Sequence, residues 1–511
     1  MMDERKVRVR FAPSPTGPLH IGGVRTALYN YLFAKKHQGD FILRIEDTDQ
    51  TRFVSGAEEY IIESLKWLGI EPNEGVGFGD GQFAPYKQSE RKNSYRQYAE
   101  QLVASGNAYY AFDTSEDLEA MRERLKASNV DAKYDSITRS TMKNSLTLSE
   151  DEVKQRLENK EQFVIRLKVP RKEEVKLYDE IRGWVNVNTS SIDDKVLFKS
   201  DGMPTYHLAN VVDDYLMNIS HVIRGEEWLP SAPLHVLLYR YLGWESVMPK
   251  FAHLPLLLKP EGNGKLSKRD GDRLGFPVFP IEWKDPTTNE ILSGYKQNGY
   301  LPEAVINLLA FLGWNPGTAQ EIFSKEELIQ AFSIERVSKH GAKFDVNKAK
   351  WFNQQYVRHV DNKILAAELK NNVTEKNISV DEIYVEKVCG LVKEKISFTK
   401  ELWDYSQYFF VAPTSFDESV IKKRWNEKSA IVLNDIIESF QNSIEFSHST
   451  IENAYNEALI KNEMQSKDFL QLFRVCLSGV ASGPPIFEMA ELFGKENTIL
   501  RLETALKNIK Q

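Results

Sequence analysis

Cysteine is scarce in this chain, and the two cysteines that occur stand far apart. Cys389 and Cys476 are the only ones among 511 residues. Two isolated thiols exclude a disulfide framework and favour a reducing compartment, the cytoplasm. The region before Cys389 also offers no thiolate for a zinc site.

Long apolar runs are missing as well. No stretch of 18 or more apolar residues occurs, so we expect no membrane-spanning helix. The N-terminal string Met-Met-Asp-Glu-Arg-Lys-Val-Arg-Val-Arg has no apolar segment behind its charges. A secretory signal peptide is therefore not expected.

The chain has no excess of basic residues. It carries 66 Lys and Arg against 73 Asp and Glu, a formal net charge of −7. Non-specific nucleic-acid binding depends on surplus cations, and residues 361–511 hold only 18 basic against 23 acidic side chains. A nucleic-acid partner must therefore be bound through local basic sites and base contacts. Lys422-Lys423-Arg424 is one candidate patch, although a solvated helix face explains it equally well.

The order of sequence patterns predicts an α/β protein with a helical end. Residues 7–11 and 41–45 read as strands around a helix that starts near His20, which is the β-loop-α-β unit of a parallel sheet. From about 110 to 200, charged helical patterns mix with short strands, which indicates an inserted α+β domain. Residues 361–511 contain only 4 of the 28 glycines and 3 of the 20 prolines, which favours an all-α region.

The first chemical cluster runs from Arg10 to Gly23, where a strand hands over to a helix. Ligands of open α/β sheets bind at the carboxyl ends of strands, and phosphates favour helix N-termini. His20 at such a helix start could donate a hydrogen bond to a phosphate oxygen, while Gly22 and Gly23 leave room for a nucleotide. The alternative is a proline-rich connection in which His20 merely caps the helix.

Three further clusters follow along the chain. Glu46, with Asp47 and Asp49 behind it, could accept from an amino group, and one of the aspartates could cap the next helix. The segment around Tyr206 and Asn210 offers donors and acceptors for a small polar ligand, and Arg224 at a strand end suits a substrate carboxylate. Gly262–Arg269 places three cations on a glycine-flanked loop, which suits charge on a triphosphate; a solvated basic loop is the alternative.

Three strings in this order make the chain resemble the class I glutamyl-tRNA synthetases of the bacterial type: Ala-Pro-Ser-Pro-Thr-Gly-Pro-Leu-His-Ile-Gly, Arg-Ile-Glu-Asp-Thr-Asp and Lys-Leu-Ser-Lys-Arg. His20 to Gly23 is similar to the "HIGH" signature of the family and Lys265 to Arg269 to its "KMSKS" signature. Gly23 departs from the first signature and Arg269 from the second. Some relatives carry zinc in the inserted domain, but Tyr109 to Phe112 at that point contains no cysteine, so zinc is not expected.

The resemblance implies a fold, a reaction and a set of roles. The fold is a Rossmann-like catalytic domain with a parallel sheet and an inserted α+β domain, followed by an all-α anticodon-binding region. The implied boundaries are 1–108 and 196–325 for the catalytic halves, 109–195 for the acceptor-end-binding insertion, 326–375 for a helical linker and 376–511 for the anticodon-binding region. The reaction joins L-glutamate to tRNA(Glu) through a glutamyl-adenylate at the expense of ATP. Mg²⁺ accompanies ATP, and the family leads us to expect a cytoplasmic monomer.

By the same resemblance, the residues that hold glutamate are Arg10, Ser14, Glu46, Tyr206, Asn210 and Arg224. His20, Gly22, Lys265 and Lys268 meet ATP, and His20 and the two lysines act in catalysis. No nucleophilic side chain is needed, because the substrate carboxylate attacks phosphorus itself.

Other functions fit less well. A glutaminyl enzyme typically has Glu in place of Ser14 and a β-barrel C-terminus. A glutamyl-queuosine enzyme ends near 300 residues, and a small-molecule nucleotidyltransferase needs no helical third. A non-catalytic RNA-binding relative should have lost part of the His20, Lys265 and Lys268 set. Whether tRNA(Gln) is charged too stays open at this stage.

Overall fold

The computed structural model describes residues 5–262, 264–267, 270–271 and 275–509. The chain forms two compact units. The first comprises Met1–Asn298 and Val305–Val346, and the second comprises Gly299–Ala304 and Asn347–Gln511.

The strands within the described residues are β1 (Arg8–Phe11), β2 (Asp40–Leu43), β3 (Glu74–Gly75), β4 (Ala108–Ala111), β5 (Val164–Leu167), β6 (Glu174–Asp179), β7 (Gly183–Asn188), β8 (Val196–Phe198), β9 (His221–Gly225), β10 (Lys250–Leu254), β11 (Leu257–Leu258), β12 (Trp283–Lys284), β13 (Ile291–Leu292) and β14 (Ala342–Lys343). The α-helices whose full extent lies within the described residues are α1 (Ile21–Lys36), α2 (Ala57–Leu68), α3 (Lys92–Ala104), α4 (Ser115–Ala127), α5 (Glu150–Glu158), α6 (Tyr206–Leu216), α7 (Ala232–Tyr241), α8 (Pro302–Phe311), α9 (Lys325–Ala331), α10 (Val346–Val357), α11 (Asn362–Glu375), α12 (Glu382–Val392), α13 (Leu402–Phe410), α14 (Glu418–Arg424), α15 (Glu427–Asn442), α16 (His448–Lys461), α17 (Ser466–Ser478), α18 (Ile486–Phe493) and α19 (Lys495–Asn508).

The predicted β-loop-α-β unit is present as β1, α1 and β2. The two strands are parallel, with Arg8 opposite Asp40. The chain returns from α1 into β2 through Gly39, where a β-carbon would lie 2.2 Å from the carbonyl oxygen of Val7. Glycine is therefore required at this turn, and it sets the close approach of helix and strand.

Two mainly parallel sheets carry the catalytic half of the chain. One has the order β1-β2-β3 and the other β7-β6-β10-β9. The N–H group of Ser220, just before β9, donates to the carbonyl of Arg8 at 2.8 Å and joins the edges of the two sheets. The carboxyl ends of β1, β2 and β9 thus open towards the same side, as the rule for open α/β sheets requires. The predicted α/β domain with a parallel sheet is confirmed.

The inserted segment builds a sheet of its own. It has the antiparallel order β4-β5-β8, and Tyr109 on β4 donates to Asp194 at 2.6 Å in its core. The hairpin β6–β7 lies in the same stretch of sequence, yet β6 pairs with β10 of the catalytic sheet, with Asp179 opposite Phe251. Strand β6 therefore lies within the predicted insertion in sequence but belongs to the sheet that contains β9 and β10.

The second unit is helical, as the scarcity of glycine and proline predicts. Its apolar core includes Leu369, Ile436, Phe473 and Leu502, all fully buried. In the candidate basic patch, Lys422 pairs with Glu418 at 3.0 Å and Arg424 pairs with Asp468 at 2.6 Å. These two cations are thus already engaged by acidic neighbours.

Both cysteines lie in that helical core. Each is a free, buried thiol, and burial raises the pKa of both Cys389 and Cys476 to about 12. The thiols are therefore protonated and unreactive at neutral pH. Across the described part of the chain, no helix is long and apolar enough to cross a membrane.

Candidate active site

The first signature lies at the start of α1, beyond the carboxyl end of β1. His20 is the N-cap, and its Nδ1 accepts from the N–H of Gly22 at 3.0 Å. In a neutral ring this leaves the proton on Nε2, which is then a donor. Capping and a role in phosphate binding, which the sequence presented as alternatives, are therefore compatible in one residue.

The two glycines of this signature are closely surrounded by other side chains. A β-carbon at Gly23 would lie 2.6 Å from Cδ1 of Leu19, and one at Gly22 would lie 3.3 Å from Nδ1 of His20. A side chain at position 23 would have to displace Leu19, which gives the departure from the "HIGH" pattern a packing reason. Leu257 is the next neighbour of Gly22, at 4.0 Å from that β-carbon, so strand β11 lies beside the helix N-terminus.

A buried guanidinium organises the carboxyl end of β2. Arg44 is fully buried, and its Nη2 donates to Oε1 of Glu46 at 2.9 Å and its Nη1 to Oδ1 of Asp214 at 2.8 Å. Burial alone would lower the pKa of Arg44, but the two carboxylates raise it above its usual value. Asn210, one turn before Asp214 on α6, donates to the same Oε1 of Glu46 at 3.0 Å. The orientation of Glu46 is thus fixed from two elements.

Asp214 also binds the arginine of β1. Arg10 donates to its carboxylate through Nε at 3.1 Å and Nη2 at 3.3 Å. Although burial raises the pKa of Asp214, Arg10 and Arg44 outweigh it and lower the pKa. The aspartate is therefore charged at neutral pH, and one carboxylate ties β1, β2 and α6 together.

Arg224, at the end of β9, has a different kind of environment. Among the hydrogen bonds of the described residues it donates only to neutral acceptors: Nε2 of His253 at 3.0 Å, the hydroxyl of Tyr206 at 2.9 Å, Nδ1 of His235 at 3.5 Å and the carbonyl of Trp228 at 3.3 Å. Burial lowers the pKa of Arg224, because a desolvated cation is costly. A buried guanidinium held by neutral groups is a ready partner for an anion.

The histidines around this arginine are neutral. Burial lowers the pKa of His207 to about 4 and that of His235 well below its usual value. Nδ1 of His207 lies 3.3 Å from Nε2 of His235. His207 and His235 therefore add no positive charge next to Arg224 at neutral pH.

The second signature follows β11. The N–H of Leu266 donates to the carbonyl of Leu257 at 2.8 Å, which holds Lys265 near the start of α1. Nζ of Lys265 lies 3.2 Å from Oε1 of Glu227, and both side chains are about half exposed. Ser267 donates through Oγ to Asp270 at 2.6 Å. Lys268, which the family resemblance predicts to meet ATP, lies outside the described residues, as does Arg269.

Most of the predicted glutamate-binding residues come together. Arg224 donates to Tyr206 and Asn210 donates to Glu46, while Arg10 is joined to Glu46 through Asp214 and Arg44. Burial raises the pKa of Tyr206 to about 12. Ser14 lies in the loop after β1 with an exposed side chain. That loop is fastened to the site, because the N–H of Glu46 donates to the carbonyl of Pro13 at 3.0 Å.

The two aspartates after Glu46 accept hydrogen bonds from other residues of the fold. Oδ1 of Asp47 accepts from the N–H of Ser89 at 2.8 Å. Asp49 stands before a short 3₁₀ turn, where its carboxylate accepts from Thr51 and Arg52 at 2.7 and 2.6 Å. The sequence predicted that one of them caps the next helix, and Asp49 does occupy the N-cap position of this 3₁₀ turn, although without a side-chain capping bond. The N-cap of α2 is Gly56.

A cavity of about 430 Å³ opens next to Tyr206 and His207. Its opposite wall comes from the inserted domain and includes Met121, Tyr134 and Arg166. Among the described residues no group of three or more His, Cys, Asp or Glu side chains is arranged for a metal ion.

Comparisons with known proteins agree with this geometry over the whole chain. The family described as tRNA synthetases class I (E and Q), catalytic domain, matches residues 6–351, and an anticodon binding domain matches residues 356–506. A glutamate–tRNA ligase of Cytophaga hutchinsonii is 58% identical over 509 residues, which cover 99% of this chain and 98% of that protein. One of Amoebophilus asiaticus is 56% identical, with 99% of each chain covered. This chain belongs to the glutamate–tRNA ligase family of class I synthetases.

A solved member of that family has the same fold. The crystal structure of a glutamate tRNA ligase from Elizabethkingia meningosepticum, determined in complex with its amino acid, superposes with a TM-score of 0.92 at 48% identity and covers 99% of this chain and 100% of that one. Family membership confirms the resemblance drawn from the signature strings.

Sequence reasoning missed the residues that hold the site together. Asp179 and His253 carry no motif, and Arg44 and Asp214 stood inside the quoted clusters without a role. Their only sequence signal is a charged or polar residue in an apolar strand or helix, which does not reveal its partner.

Proposed function

We propose that this protein attaches L-glutamate to tRNA(Glu) in two steps, through a glutamyl-adenylate formed from ATP with release of diphosphate. The observation that carries the proposal is the buried Arg224, which is held by neutral acceptors and is close enough to the carboxylate of Glu46 for that charge to raise its pKa, although burial outweighs this effect. Such a pair presents one cation and one anion to a small zwitterion. Family membership supports the same reaction.

Arg224 binds the side-chain carboxylate of glutamate in this proposal. Glutamine would turn an amide N–H towards a guanidinium that can only donate, so the site disfavours it. Among the described residues, both side-chain hydrogen bonds of Glu46 use Oε1, and we assign its second oxygen to the α-ammonium group. Tyr206 orients Arg224, and Asn210 orients Glu46. Arg10, on β1, and Ser14, in the loop after it, complete the proposed glutamate site.

The α-carboxylate then attacks the α-phosphorus of ATP, and diphosphate leaves. Nε2 of His20 and Nζ of Lys265 stabilise the charge that develops on the phosphates, together with Lys268. The N–H of Gly22 is engaged by His20, so we assign Gly22 the role of leaving space. Mg²⁺ would be bound by the phosphate oxygens of ATP, because none of the residues that we assign to ATP has a carboxylate side chain that could bind the ion.

The tRNA ends would meet different parts of the chain. We propose that the cavity between Tyr206 and the insertion receives the acceptor end and that residues from 376 onward bind the anticodon. The domain boundaries that we propose are 1–108 and 196–325 for the catalytic halves, 109–195 for the insertion, 326–375 for the helical linker and 376–511 for the anticodon-binding region. Action as a monomer in the cytoplasm, where tRNA is charged, belongs to the same proposal.

Glutamate-dependent exchange between ATP and labelled diphosphate tests this function, with tRNA included, because members of this family commonly need tRNA for activation. We expect exchange with glutamate and at least about a hundredfold less with glutamine. Exchange that is equal for the two amino acids would contradict the assignment of Arg224. Aminoacylation of purified tRNA(Glu) and tRNA(Gln) with glutamate then decides whether the enzyme discriminates between them.

A further inference from the structure

A chain of three buried side chains leads from the insertion to the substrate site. Oδ2 of Asp179 lies 2.6 Å from Nδ1 of His253, and Nε2 of His253 accepts from Nε of Arg224 at 3.0 Å. Asp179 and His253 are both fully buried. Neither has a place in the proposed binding or catalytic machinery.

The backbone fixes the position of this chain. His253 on β10 stands directly opposite Arg224 on β9 in the parallel register. Asp179 ends strand β6, and its Oδ1 accepts from the N–H groups of Ile181 at 3.0 Å and Arg182 at 2.8 Å. The carboxylate is therefore held from its own strand end and the imidazole from the sheet.

The hydrogen bonds also dictate the tautomer of the histidine. Arg224 can only donate, so Nε2 of His253 must carry a lone pair, and the proton must lie on Nδ1. Burial lowers the pKa of His253, although the hydrogen bond to Asp179 opposes this, so the neutral ring is the form present at neutral pH. An aspartate at Nδ1 favours this tautomer over the other.

We propose that Asp179 and His253 are positioning residues that aim the guanidinium of Arg224 at the side-chain carboxylate of the amino acid. The inference rests on the proposed function, since it takes that carboxylate as the ligand of Arg224. With Nε anchored on His253, the two terminal nitrogens are directed by Tyr206 and Trp228. Without the hydrogen bond to His253, the positive charge of Arg224 would remain, but the orientation of its guanidinium group would no longer be fixed.

Asp179→Asn is the sharpest test of this proposal. Asparagine keeps one oxygen for the N–H groups of Ile181 and Arg182. It turns its NH2 group towards Nδ1 of His253 and towards the backbone N–H of His253, from which Oδ2 of Asp179 accepts at 3.1 Å. The histidine must then move its proton to Nε2, where it opposes Nε–H of Arg224; the same exchange disables Asp–His pairs elsewhere. We expect KM for glutamate to rise at least about tenfold, with KM for ATP unchanged.

Substitutions at His253 separate positioning from packing. His253→Gln can place an amide oxygen where Nε2 accepts, so it should retain glutamate binding better than His253→Leu, which removes the acceptor and keeps an apolar side chain. His359→Gln is the matched control, because His359 is exposed in the turn after α10, where its Nδ1 lies 2.7 Å from the carbonyl oxygen of Gln355. The control should leave every kinetic constant unchanged.

The outcomes distinguish this inference from the proposed function. If Arg224→Lys raises KM for glutamate but Asp179→Asn and His253→Leu do not, the positioning inference is wrong and the function stands. If Arg224→Lys itself leaves KM unchanged, the proposed glutamate site fails first. Equal losses in KM for glutamate and ATP, with no advantage of His253→Gln over His253→Leu, would reduce the pair to a structural role and overturn the inference.

Imidazole ¹⁵N spectra test the proposal without a kinetic variant. At pH 7.5 the wild-type protein should show His253, assigned by its absence in His253→Gln, as a neutral ring protonated at Nδ1. A ring protonated at Nε2 would contradict the chain of hydrogen bonds. This measurement remains decisive if the leucine variant does not fold.

Discussion

Nη1 of Arg44 lies 2.8 Å from Oδ1 of Asp214, although the two residues are 170 positions apart in the chain. Arg44 donates both to Asp214 on α6 and to Glu46 at the end of its own strand. The contact therefore fastens the first catalytic half to the second, directly beneath the carboxylate that we assign to the substrate ammonium.

Replacement of Arg44 by leucine should be strongly destabilising. The change leaves two buried carboxylates without their shared cation, and breaking one side of such a pair costs about 3–5 kcal/mol. Urea denaturation of the variant measures the loss. Arg96→Leu is the control, since Arg96 and Glu100 form an exposed pair on α3 that contributes less than about 1 kcal/mol. Similar losses in both variants would show that burial of Arg44 is not what matters.

Arg224→Lys should weaken glutamate binding without unfolding the protein. Lysine keeps a positive charge, but it cannot satisfy the fixed set of acceptors around the guanidinium or bind a carboxylate through two parallel bonds. We expect kcat/KM for glutamate to fall about a hundredfold, measured by diphosphate exchange with tRNA present. Arg96→Lys should be indistinguishable from the wild type, and an unchanged KM for glutamate in Arg224→Lys would remove the residue from the site.

His20 can be tested so that capping and catalysis separate. Asparagine is a good N-cap and can accept from the N–H of Gly22, but it cannot reach the phosphates as Nε2 of histidine does. His20→Asn should therefore keep its melting temperature and lose about a hundredfold in kcat of exchange. His20→Ala should lose the same activity and also about 1 kcal/mol of stability. Full activity of the asparagine variant would leave His20 as a cap only.

The signature lysines should matter for the chemical step. Lys265→Ala and Lys268→Ala remove cations that we place on the phosphates, and each should lower kcat of exchange by about two orders of magnitude while leaving KM for glutamate nearly unchanged. Lys284→Ala, an exposed lysine of β12, provides the control. A fall limited to the KM for glutamate would place the loop at the amino acid instead of at ATP.

Acid should act on the protein through His207. Burial lowers its pKa to about 4, below the value of about 6.5 for an unfolded chain. Above pH 6.5 both states are neutral and the residue has no effect; as the pH falls from about 6.5 to about 4, only the unfolded state takes up the proton and stability decreases. Titration of the ring protons by NMR, assigned with His207→Gln, should give a midpoint below 5. A midpoint near 6.5 would show that the ring is solvated.

The sequence predicted the parts of the site that depend on local order. β1, the helix at His20 and the end of β2 follow from alternation and periodicity, and Tyr206 and Asn210 share a face of α6 because they are four positions apart. The signature strings identified the family, and through it the residues to examine. All of these signals lie within a few residues of one another.

The supporting contacts could not be predicted in this way. Asp214 lies on α6 next to Asp213, and only the fold shows that Asp214 binds Arg10 and Arg44 while Asp213 binds Arg91 and Tyr95. The pairing of His253 with Arg224 likewise depends on the register of two strands that are 25 positions apart at their closest ends. A single sequence carries no trace of such a register.

The hairpin β6–β7 gives this arrangement one more consequence. Side chains alternate between the faces of a strand, so a slip of β6 by one residue against β10 would turn Asp179 away and bring Tyr178 or Glu180 in its place. A molecule with a misthreaded insertion would then lack a properly aimed Arg224. On the role that we propose for Asp179, correct pairing of β6 with β10 is thereby a precondition for binding the amino acid, and folding of the insertion is linked to the substrate site.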